Sequence, residues 1–235
     1  DLSISTSKTD VTCKGEPSGS AEVLVTGGTT PYAIQWFNSA NNIVGTESQL
    51  LNINTGTYTV KVNDANGCPM DGKTATVEIL EPQVELILSI ANKSDVKCFG
   101  GNDGFVSLLA SGGWGNYLYS SNDTDWKTSN TFDQLVAGDL NVYVKDNNGC
   151  KQSSTISINQ NPAVGINVST TDITCFNANN GKIDIAATGG NGSYKYSINN
   201  GLTWNDGASF NNLIAGTYKT ITKDGNGCSA SGGNV

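Results

Sequence analysis

Histidine is absent from the 235-residue sequence. Without it, no Ser–His or Cys–His pair is available to activate a nucleophile. Carboxylate pairs exist, but each lies on a turn that recurs along the chain, whereas acid–base catalysis needs two such groups facing one cleft. The sequence therefore predicts that the chain is not an enzyme.

Charged residues and long apolar runs are also scarce. Charged residues make up 14% of the chain, and the net charge is −8. An acidic chain has no electrostatic basis for binding nucleic acid and is repelled by anionic lipid. No apolar run approaches the roughly 18 residues of a membrane-spanning helix, and no signal-peptide pattern opens the chain. We expect no nucleic-acid partner, no direct membrane insertion, and a soluble chain whose export signal or anchor lies outside these residues.

The abundant residues are those of strands and tight turns. The chain has 28 glycines, is rich in Asn, Thr, Ser and Val, and is 37% hydrophobic. That hydrophobic fraction is too high for a disordered linker, and the Glu, Lys and Ala runs of helical proteins are missing. The composition predicts an all-β protein.

One pattern recurs three times, about every 80 residues. Each copy begins with Asp-x-x-Cys, runs through an alternating segment to a Gly-Gly pair followed by a Tyr, and ends on Asp-x-Asn-Gly-Cys. We define residues 1–82 as repeat 1, 83–162 as repeat 2 and 163–235 as repeat 3. The first-position cysteines are Cys13, Cys98 and Cys175, and the second-position cysteines are Cys68, Cys150 and Cys228.

Alternation of apolar and polar residues predicts antiparallel strands within each repeat. Ala21, Val23 and Val25 share one face of a strand, and Val60 and Val62 share one face of another. Turn residues recur about every 8 to 12 positions, which is typical of a β-sandwich. The repeats join through Glu-Pro and Asn-Pro dipeptides that favour extended linkers. We therefore predict three tandem immunoglobulin-like antiparallel β-sandwich modules in an extended array.

Repeat 3 departs from the pattern in two places. Thr220 and Thr222 take core positions, so their strand should be the weakest of its set. Only seven residues follow Cys228, whereas residues 73–80 and 153–159 supply a final strand in the other repeats. We therefore expect repeat 3 to lack most of its last strand. An open sheet edge of this kind recruits another strand, which raises the alternative of a fibre subunit.

The cysteines indicate disulfides rather than zinc, because none lies in a Cys-x-x-Cys pair. The repeat favours one bridge inside each module, closing loops of 52 to 55 residues. Each such bridge constrains the unfolded chain by about 4 kcal/mol. Stable disulfides imply an oxidising compartment. The predicted pairs are Cys13–Cys68, Cys98–Cys150 and Cys175–Cys228.

Those pairs would also bring aspartates together, which makes calcium a candidate cofactor. Calcium takes carboxylate and carbonyl oxygens, but a loop site usually gathers more than two carboxylates. Aspartates on turns more often accept hydrogen bonds from their own backbone, and we favour that role with no cofactor. The candidate metal-binding pairs are Asp10 with Asp64, Asp95 with Asp146, and Asp172 with Asp224.

Trp114 is the candidate ligand-contact residue. It follows a Gly-Gly pair on a predicted loop, and the other copies have no Trp there. An exposed indole could stack on a sugar, although covering its own loop is the favoured role. Trp126 and Trp204 recur in matching contexts, which favours packing over ligand binding.

The order of these motifs resembles the SprB-type repeat of large surface adhesins in gliding Bacteroidetes. The match rests on Gly-Gly-x-x-Pro-Tyr, Gly-x-Tyr and above all Asp-x-Asn-Gly-Cys. The Gly-Thr-Tyr stretch is also similar to PKD and other immunoglobulin-like surface modules. The resemblance implies a β-sandwich, arrays of many copies on the outer surface, and roles in adhesion or gliding motility, with no catalytic residues.

We therefore expect a structural or adhesive segment of a secreted bacterial surface adhesin, located outside the cell. Its expected partners are further repeats of the same parent chain, surface polysaccharide or other surface protein modules. The alternatives are a carbohydrate-binding array of a secreted hydrolase and the fibre subunit.

Overall fold

The computed structural model of the protein describes residues 1–70 and 72–235. Within them the chain forms nineteen β-strands, and no helix there is long and apolar enough to span a membrane. Within these residues the paired strands run antiparallel, and they form six small sheets. The predicted all-β, immunoglobulin-like class is confirmed.

Repeat 1 contains two sheets, ordered β1-β2-β5 and β4-β3-β6-β7. Its buried side chains come from both sheets and include Trp36 from β3, Val23 from β2 and Val60 from β6. The core therefore lies between the two sheets, as in a β-sandwich. The strands are β1 Ser3–Thr9, β2 Gly19–Thr26, β3 Ala33–Phe37, β4 Ile43–Gly45, β5 Gln49–Ile53, β6 Gly56–Asn63 and β7 Lys73–Ile79.

Repeats 2 and 3 each contain two three-stranded sheets. In repeat 2 the orders are β11-β9-β8 and β10-β12-β13, with β8 Ile87–Ser94, β9 Gly104–Ser111, β10 Leu118–Ser120, β11 Thr131–Leu135, β12 Gly138–Lys145 and β13 Lys151–Ile158. In repeat 3 they are β14-β15-β17 and β16-β18-β19, with β14 Gly165–Thr171, β15 Gly181–Thr188, β16 Tyr194–Ser197, β17 Ser209–Leu213, β18 Lys219–Asp224 and β19 Ser229–Asn234.

The predicted alternation matches the observed burial. In β2, Ala21 and Val23 are 2% and 3% exposed, whereas the alternate residues Glu22 and Leu24 face solvent. The same alternation holds in β6, β9, β12 and β15. Thr220 is fully buried, and Thr222 as well, as the sequence predicted for β18.

The Gly-Gly pairs are required by a close approach of two backbone segments. Gly27 and Gly28 have φ angles of 72° and 66°, in the left-handed region that glycine adopts without strain. A Cβ atom on Gly27 would lie 2.1 Å from the carbonyl oxygen of Asp1. The turn from β2 into β3 therefore packs directly against the residues that precede β1.

The last strand of repeat 3 is present, so the prediction that most of it is missing is wrong. β19 spans Ser229–Asn234 and pairs with β18, and Val235 exchanges backbone hydrogen bonds with Tyr218. The prediction failed because Ser, Ala and Gly carry little strand propensity, whereas pairing with β18 supplies the ladder that forms the strand.

By spatial proximity the chain divides into two compact units. Unit 1 comprises Asp1–Ser89, Leu109–Asn130 and Asn141–Ser154, and unit 2 comprises Ile90–Leu108, Thr131–Leu140 and Thr155–Val235. The division runs through repeat 2. Each sheet nevertheless takes its strands from a single repeat. The boundaries at 82 and 162 remain sequence-based predictions.

Candidate functional site

Two disulfides connect neighbouring repeats. Cys13 bonds Cys150 with a Cα–Cα distance of 5.0 Å, and Cys98 bonds Cys228 with a Cα–Cα distance of 5.4 Å. In each bridge the first-position cysteine of one repeat is joined to the second-position cysteine of the next. Among the described residues Cys68 and Cys175 are unpaired and exposed. The predicted pairs Cys13–Cys68, Cys98–Cys150 and Cys175–Cys228 are therefore wrong.

The two cysteines of repeat 1 cannot meet because they lie at opposite ends of its strands. Cys13 follows β1, where the amide of Val11 donates to the carbonyl of Leu80. Cys68 follows β6, beside the residues that precede β1, since a Cβ on Gly28 would lie 3.1 Å from Leu2 Cδ1 and 3.2 Å from Asp64 Cβ. The seven residues of β1 separate the two ends by roughly 23 Å. A disulfide requires Cα atoms within about 7 Å.

The junction in unit 1 surrounds the Cys13–Cys150 bridge with polar contacts. The indole Nε1 of Trp114 donates to the carbonyl of Val11 at 3.0 Å. The amide of Gly15 donates to the Glu81 carboxylate at 3.0 Å. Val11 is 0% exposed and Cys150 is 3% exposed. The bridge is therefore part of a packed contact between two repeats. Repeat 1 contributes the pole at which β7 ends, and repeat 2 contributes the pole at which β8 begins.

The junction in unit 2 repeats this arrangement around the Cys98–Cys228 bridge. The side-chain amide of Asn226 donates to the carbonyl of Lys97 at 3.3 Å, and the amide of Gly100 donates to Gln160 Oε1 at 2.7 Å. Val96 holds the position of Val11 and is 2% exposed. Both junctions thus combine one disulfide, one buried Val and hydrogen bonds to the linker.

The aspartate before each second-position cysteine organises the turn that presents the thiol. Asp64 Oδ1 accepts the amides of Asn66 at 3.0 Å and Cys68 at 2.8 Å, and Oδ2 accepts the amide of Thr29 at 3.1 Å. The amide of Cys68, with those of Thr29 and Asn66, holds the pKa of Asp64 below its ordinary value. The same three bonds recur in the other repeats, from Asn148, Cys150 and Trp114 to Asp146, and from Asn226, Cys228 and Asn191 to Asp224.

The aspartate before each first-position cysteine belongs to the opposite end of its repeat. Asp10 accepts the amide of Leu80 and the ammonium of Lys8, both at 2.8 Å. Burial raises its pKa, but these two partners together hold the pKa below its ordinary value. Asp95 accepts the amide of Asn159 at 2.9 Å. In repeats 1 and 2 these aspartates fix the end of the last strand to the segment that carries the first cysteine.

The aspartate pairs predicted for calcium are therefore not brought together. The prediction of Asp10 beside Asp64, Asp95 beside Asp146 and Asp172 beside Asp224 is wrong, because it depended on bridges within each repeat. In the described part of the chain no group of three or more His, Cys, Asp or Glu side chains is close enough to hold a metal. The carboxylates of Asp64, Asp146 and Asp224 bind backbone amides instead.

Trp114, Trp126 and Trp204 are half-buried and contact other groups of the protein. Trp114 packs at the unit 1 junction with its indole N–H bonded, so it is not the exposed stacking platform considered from the sequence. The ammonium of Lys145 lies 4.4 Å from the centre of the Trp126 ring, and that of Lys223 lies 4.1 Å from the Trp204 ring. These are cation–π contacts, so part of each ring is already covered.

The functional feature that the sequence prediction missed is the junction itself. Its signal lay in strand direction. β1 is antiparallel to β2, and β3 is antiparallel to β6. Because β2 turns directly into β3, these two strands also run in opposite directions. It follows that β1 and β6 run in opposite directions. The residues after β1 and after β6 then fall at opposite ends, which excludes a bridge between them.

Comparison with known proteins shows which family the repeated segments resemble. The SprB repeat family model matches three segments, residues 5–41, 90–125 and 167–203. No curated protein sequence matches the chain.

Among solved structures, three N-terminal domains of the outer capsid protein Hoc of bacteriophage RB49 are 14% identical, with a TM-score of 0.39 over 100% of this chain and 95% of that one. Domains 4–9 of the surface layer protein SbsC are 14% identical, with a TM-score of 0.29 over 100% of this chain and 46% of that one. A tetra-tandem repeat of a large adhesion protein is 14% identical, with a TM-score of 0.22 over 97% and 72%. The three family matches confirm the resemblance drawn from the motifs: one segment in each of the three repeats matches the SprB repeat model.

Proposed function

We propose that the chain is a structural segment of a bacterial cell-surface adhesin, secreted to the outside of the cell, whose cross-linked repeats carry tension during attachment or gliding. The observation that carries the proposal is the pair of bridges between repeats. Stable disulfides belong to an oxidising compartment such as the cell surface. Bridges inside each repeat would stabilise single modules, whereas bridges between repeats join each module covalently to its neighbour.

The two bridges overlap along the sequence, and this limits how far the chain can be extended. Cys98 lies inside the loop closed by Cys13 and Cys150, and Cys150 lies inside the loop closed by Cys98 and Cys228. The shortest covalent route from one terminus to the other follows residues 1–13, crosses to 150, runs back along the chain to 98, and crosses to 228 before it ends at 235. That route contains fewer than half of the residues. Tension would therefore reach a covalent limit early, even if every repeat unfolded.

Single-molecule pulling between residues 1 and 235 tests this mechanical function. The fully unfolded chain should reach roughly 250 Å with the bridges intact and roughly 800 Å after reduction. Cys68→Ser is the matched control, because it removes a thiol that forms no bridge, and its limit should equal that of the oxidised wild type. A limit near 800 Å for the oxidised chain would contradict the proposal.

We propose the role in adhesion from the family matches and from the negative net charge of the chain. An acidic, turn-rich surface suits contact with other surface protein modules or polysaccharide rather than with nucleic acid. Antibody labelling of intact cells of the source bacterium tests surface exposure, and loss of attachment or gliding on deleting these repeats tests the role. Unchanged attachment and motility in the deletion strain would count against it.

The alternative functions have weaker support. A carbohydrate-binding array needs exposed aromatic platforms, and Trp114, Trp126 and Trp204 all contact protein groups. A fibre subunit needs an incomplete sheet, and β19 already pairs along β18. Specific binding on a glycan array that Trp114→Ala abolishes would favour the carbohydrate function instead. We likewise propose no catalytic role for these residues.

A further inference from the structure

The two unpaired cysteines differ from the bonded ones in their surroundings. Cys68 and Cys175 are exposed, whereas Cys150 is buried and Cys13, Cys98 and Cys228 are half-buried at the junctions. Both exposed thiols lie on the same local motifs as the bonded ones. The bonded and unpaired cysteines therefore differ in whether a cysteine of a neighbouring repeat faces them.

The positions of the two thiols indicate what should lie opposite them. Cys175 holds the first position in its repeat, and both other first-position cysteines bond the second-position cysteine of the following repeat. Cys68 holds the second position, and both other second-position cysteines bond the first-position cysteine of the preceding repeat. The two bridges thus follow one rule, and Cys68 and Cys175 are the positions at which that rule is unsatisfied.

We propose that Cys68 and Cys175 are the open ends of a disulfide ladder between repeats. Cys175 bonds the second-position cysteine of another SprB repeat, and Cys68 bonds the first-position cysteine of another. This goes beyond the proposed function, because it holds whatever the array attaches to. The partner repeat is that of a second copy of this chain, which is the arrangement that the experiment below tests.

The surface beside Cys175 is open in the way the proposal requires. Val11 and Val96, which precede Cys13 and Cys98, are 0% and 2% exposed, whereas Ile173 in the corresponding position is only half-buried. A groove of about 450 Å³ runs past it, lined by Ile173, Leu213, Ile214, Tyr218 and Val235 among others. An apolar surface of this kind is suited to the packed contact that both existing junctions make.

The surface beside Cys68 is also preformed. Asp64 fixes the turn by accepting the Cys68 amide at 2.8 Å, as Asp146 and Asp224 do for the cysteines that are bonded. The thiol is therefore held on the same turn before a partner arrives. Forming the bridge therefore costs little further conformational entropy in the backbone of this turn.

The bond forms by thiol–disulfide exchange with a disulfide oxidant, for which oxidised glutathione serves as the probe. One thiolate attacks the glutathione disulfide and releases one reduced glutathione. The partner thiolate then attacks the mixed disulfide and releases the second. Two protein thiols lose two electrons and two protons in total, and the oxidant becomes two molecules of reduced glutathione.

Two single variants of the full chain test the proposal, because each keeps one half of the predicted pair. Cys68→Ser retains only the Cys175 thiol, and Cys175→Ser retains only the Cys68 thiol. Each variant is oxidised alone and in an equal mixture, at about 1 mM protein, which approximates the effective concentration of linked modules. Products are separated by non-reducing electrophoresis, and peptide mapping of the dimer band identifies which cysteines are joined, because both variants have the same mass. Matching thermal unfolding of the variants and the wild type shows that both remain folded.

The proposal predicts a heterodimer in the mixture, joined between Cys175 and Cys68, and loss of that band when either variant is oxidised alone. The wild type should form a series of multimers that disappears on reduction. Random oxidation of exposed thiols would instead give two homodimers that together equal the heterodimer, and this would overturn the proposal. Absence of any heterodimer under these conditions would also overturn it.

Discussion

Repeat 1 and repeat 3 fill the same core positions with different chemistry. β6 buries Val60 and Val62, and β18 buries Thr220 and Thr222, with all four side chains at 0% exposure. In repeat 3 each buried hydroxyl donates to a backbone carbonyl at 3.2 Å, from Thr220 to Gly233 and from Thr222 to Lys195. The comparison shows that β-branched shape and alternation determine this strand, provided that any buried hydroxyl finds an acceptor.

The same two repeats also differ in their cysteines. Repeat 1 uses its first-position cysteine in a bridge and leaves the second free, whereas repeat 3 uses the second and leaves the first free. A cysteine is therefore bonded when a neighbouring repeat of this chain faces it. Bonding depends on which end of the repeat the cysteine occupies.

The largest expected effect is the loss of a bridge. Cys13→Ser removes the bridge to Cys150, which closes a separation of 137 residues, and should lower the free energy of unfolding by about 5 kcal/mol in the chain-entropy model. Denaturant unfolding under non-reducing conditions measures it. The matched control is Cys68→Ser in the same repeat, which should change little. Equal effects of the two substitutions would contradict the assigned bridges.

A smaller effect is expected from the aspartate that holds the cysteine turn. Asp64→Ala leaves the amides of Thr29, Asn66 and Cys68 without their acceptor and should lower the thermal midpoint of repeat 1. Asp64→Asn keeps the shape and part of the acceptor capacity, so it should lower the midpoint less. Equal midpoints for wild type and Asp64→Ala would show that the turn is held by other groups.

The same aspartate predicts a pH dependence. Its pKa is lower in the folded chain than in the unfolded chain, so the ionised carboxylate stabilises the fold above the ordinary aspartate pKa of about 4. That contribution to stability is lost as the pH falls from about 4 through the lower pKa that Asp64 has in the folded chain. The acid-side fall of the thermal midpoint should therefore be shallower in Asp64→Asn than in the wild type. Parallel curves would be the contrary result.

Exchanging the core residues of the two repeats gives a still smaller effect. Val62→Thr places a hydroxyl in the core of repeat 1 and should destabilise it by about 1 to 3 kcal/mol unless a carbonyl comes within reach. The reverse change, Thr222→Val, removes a hydroxyl that is already bonded and should change stability by less than about 1.5 kcal/mol. Urea unfolding of the two variants measures the asymmetry, and equal losses would refute it.

The smallest expected effect is that of calcium removal. Asp64, Asp146 and Asp224 bind backbone amides, so we predict that a chelator leaves the thermal midpoint unchanged. Added calcium in excess is the matched control and should also leave it unchanged. A fall of more than about 10 °C on chelation would exceed a 1 kcal/mol effect and would reveal a bound ion.

The strands and the core could be predicted from the sequence, because alternation directly encodes which side chains face inward. Val23, Val60 and Thr222 all lie where their positions in the pattern placed them. β19 was missed since its Ser and Gly residues carry no such pattern. Its formation depends on the neighbouring strand.

The junctions could not be predicted from spacing alone. The similar spacing of cysteines in every repeat is compatible with bridges inside repeats and with bridges from one repeat to the next. The choice depends on which end of the strands each cysteine occupies, and this is a property of sheet topology. Trp114, unique to repeat 2, contacts Val11 of repeat 1, a contact that no pattern within one repeat indicates.

Non-reducing peptide mapping of the monomeric chain, kept dilute so that Cys68 and Cys175 do not bond a second copy, tests the central claim most directly. After alkylation of free thiols and proteolysis, it should recover peptides joining Cys13 to Cys150 and Cys98 to Cys228, with Cys68 and Cys175 alkylated. Recovery of Cys13 joined to Cys68, or of Cys175 joined to Cys228, would contradict the account.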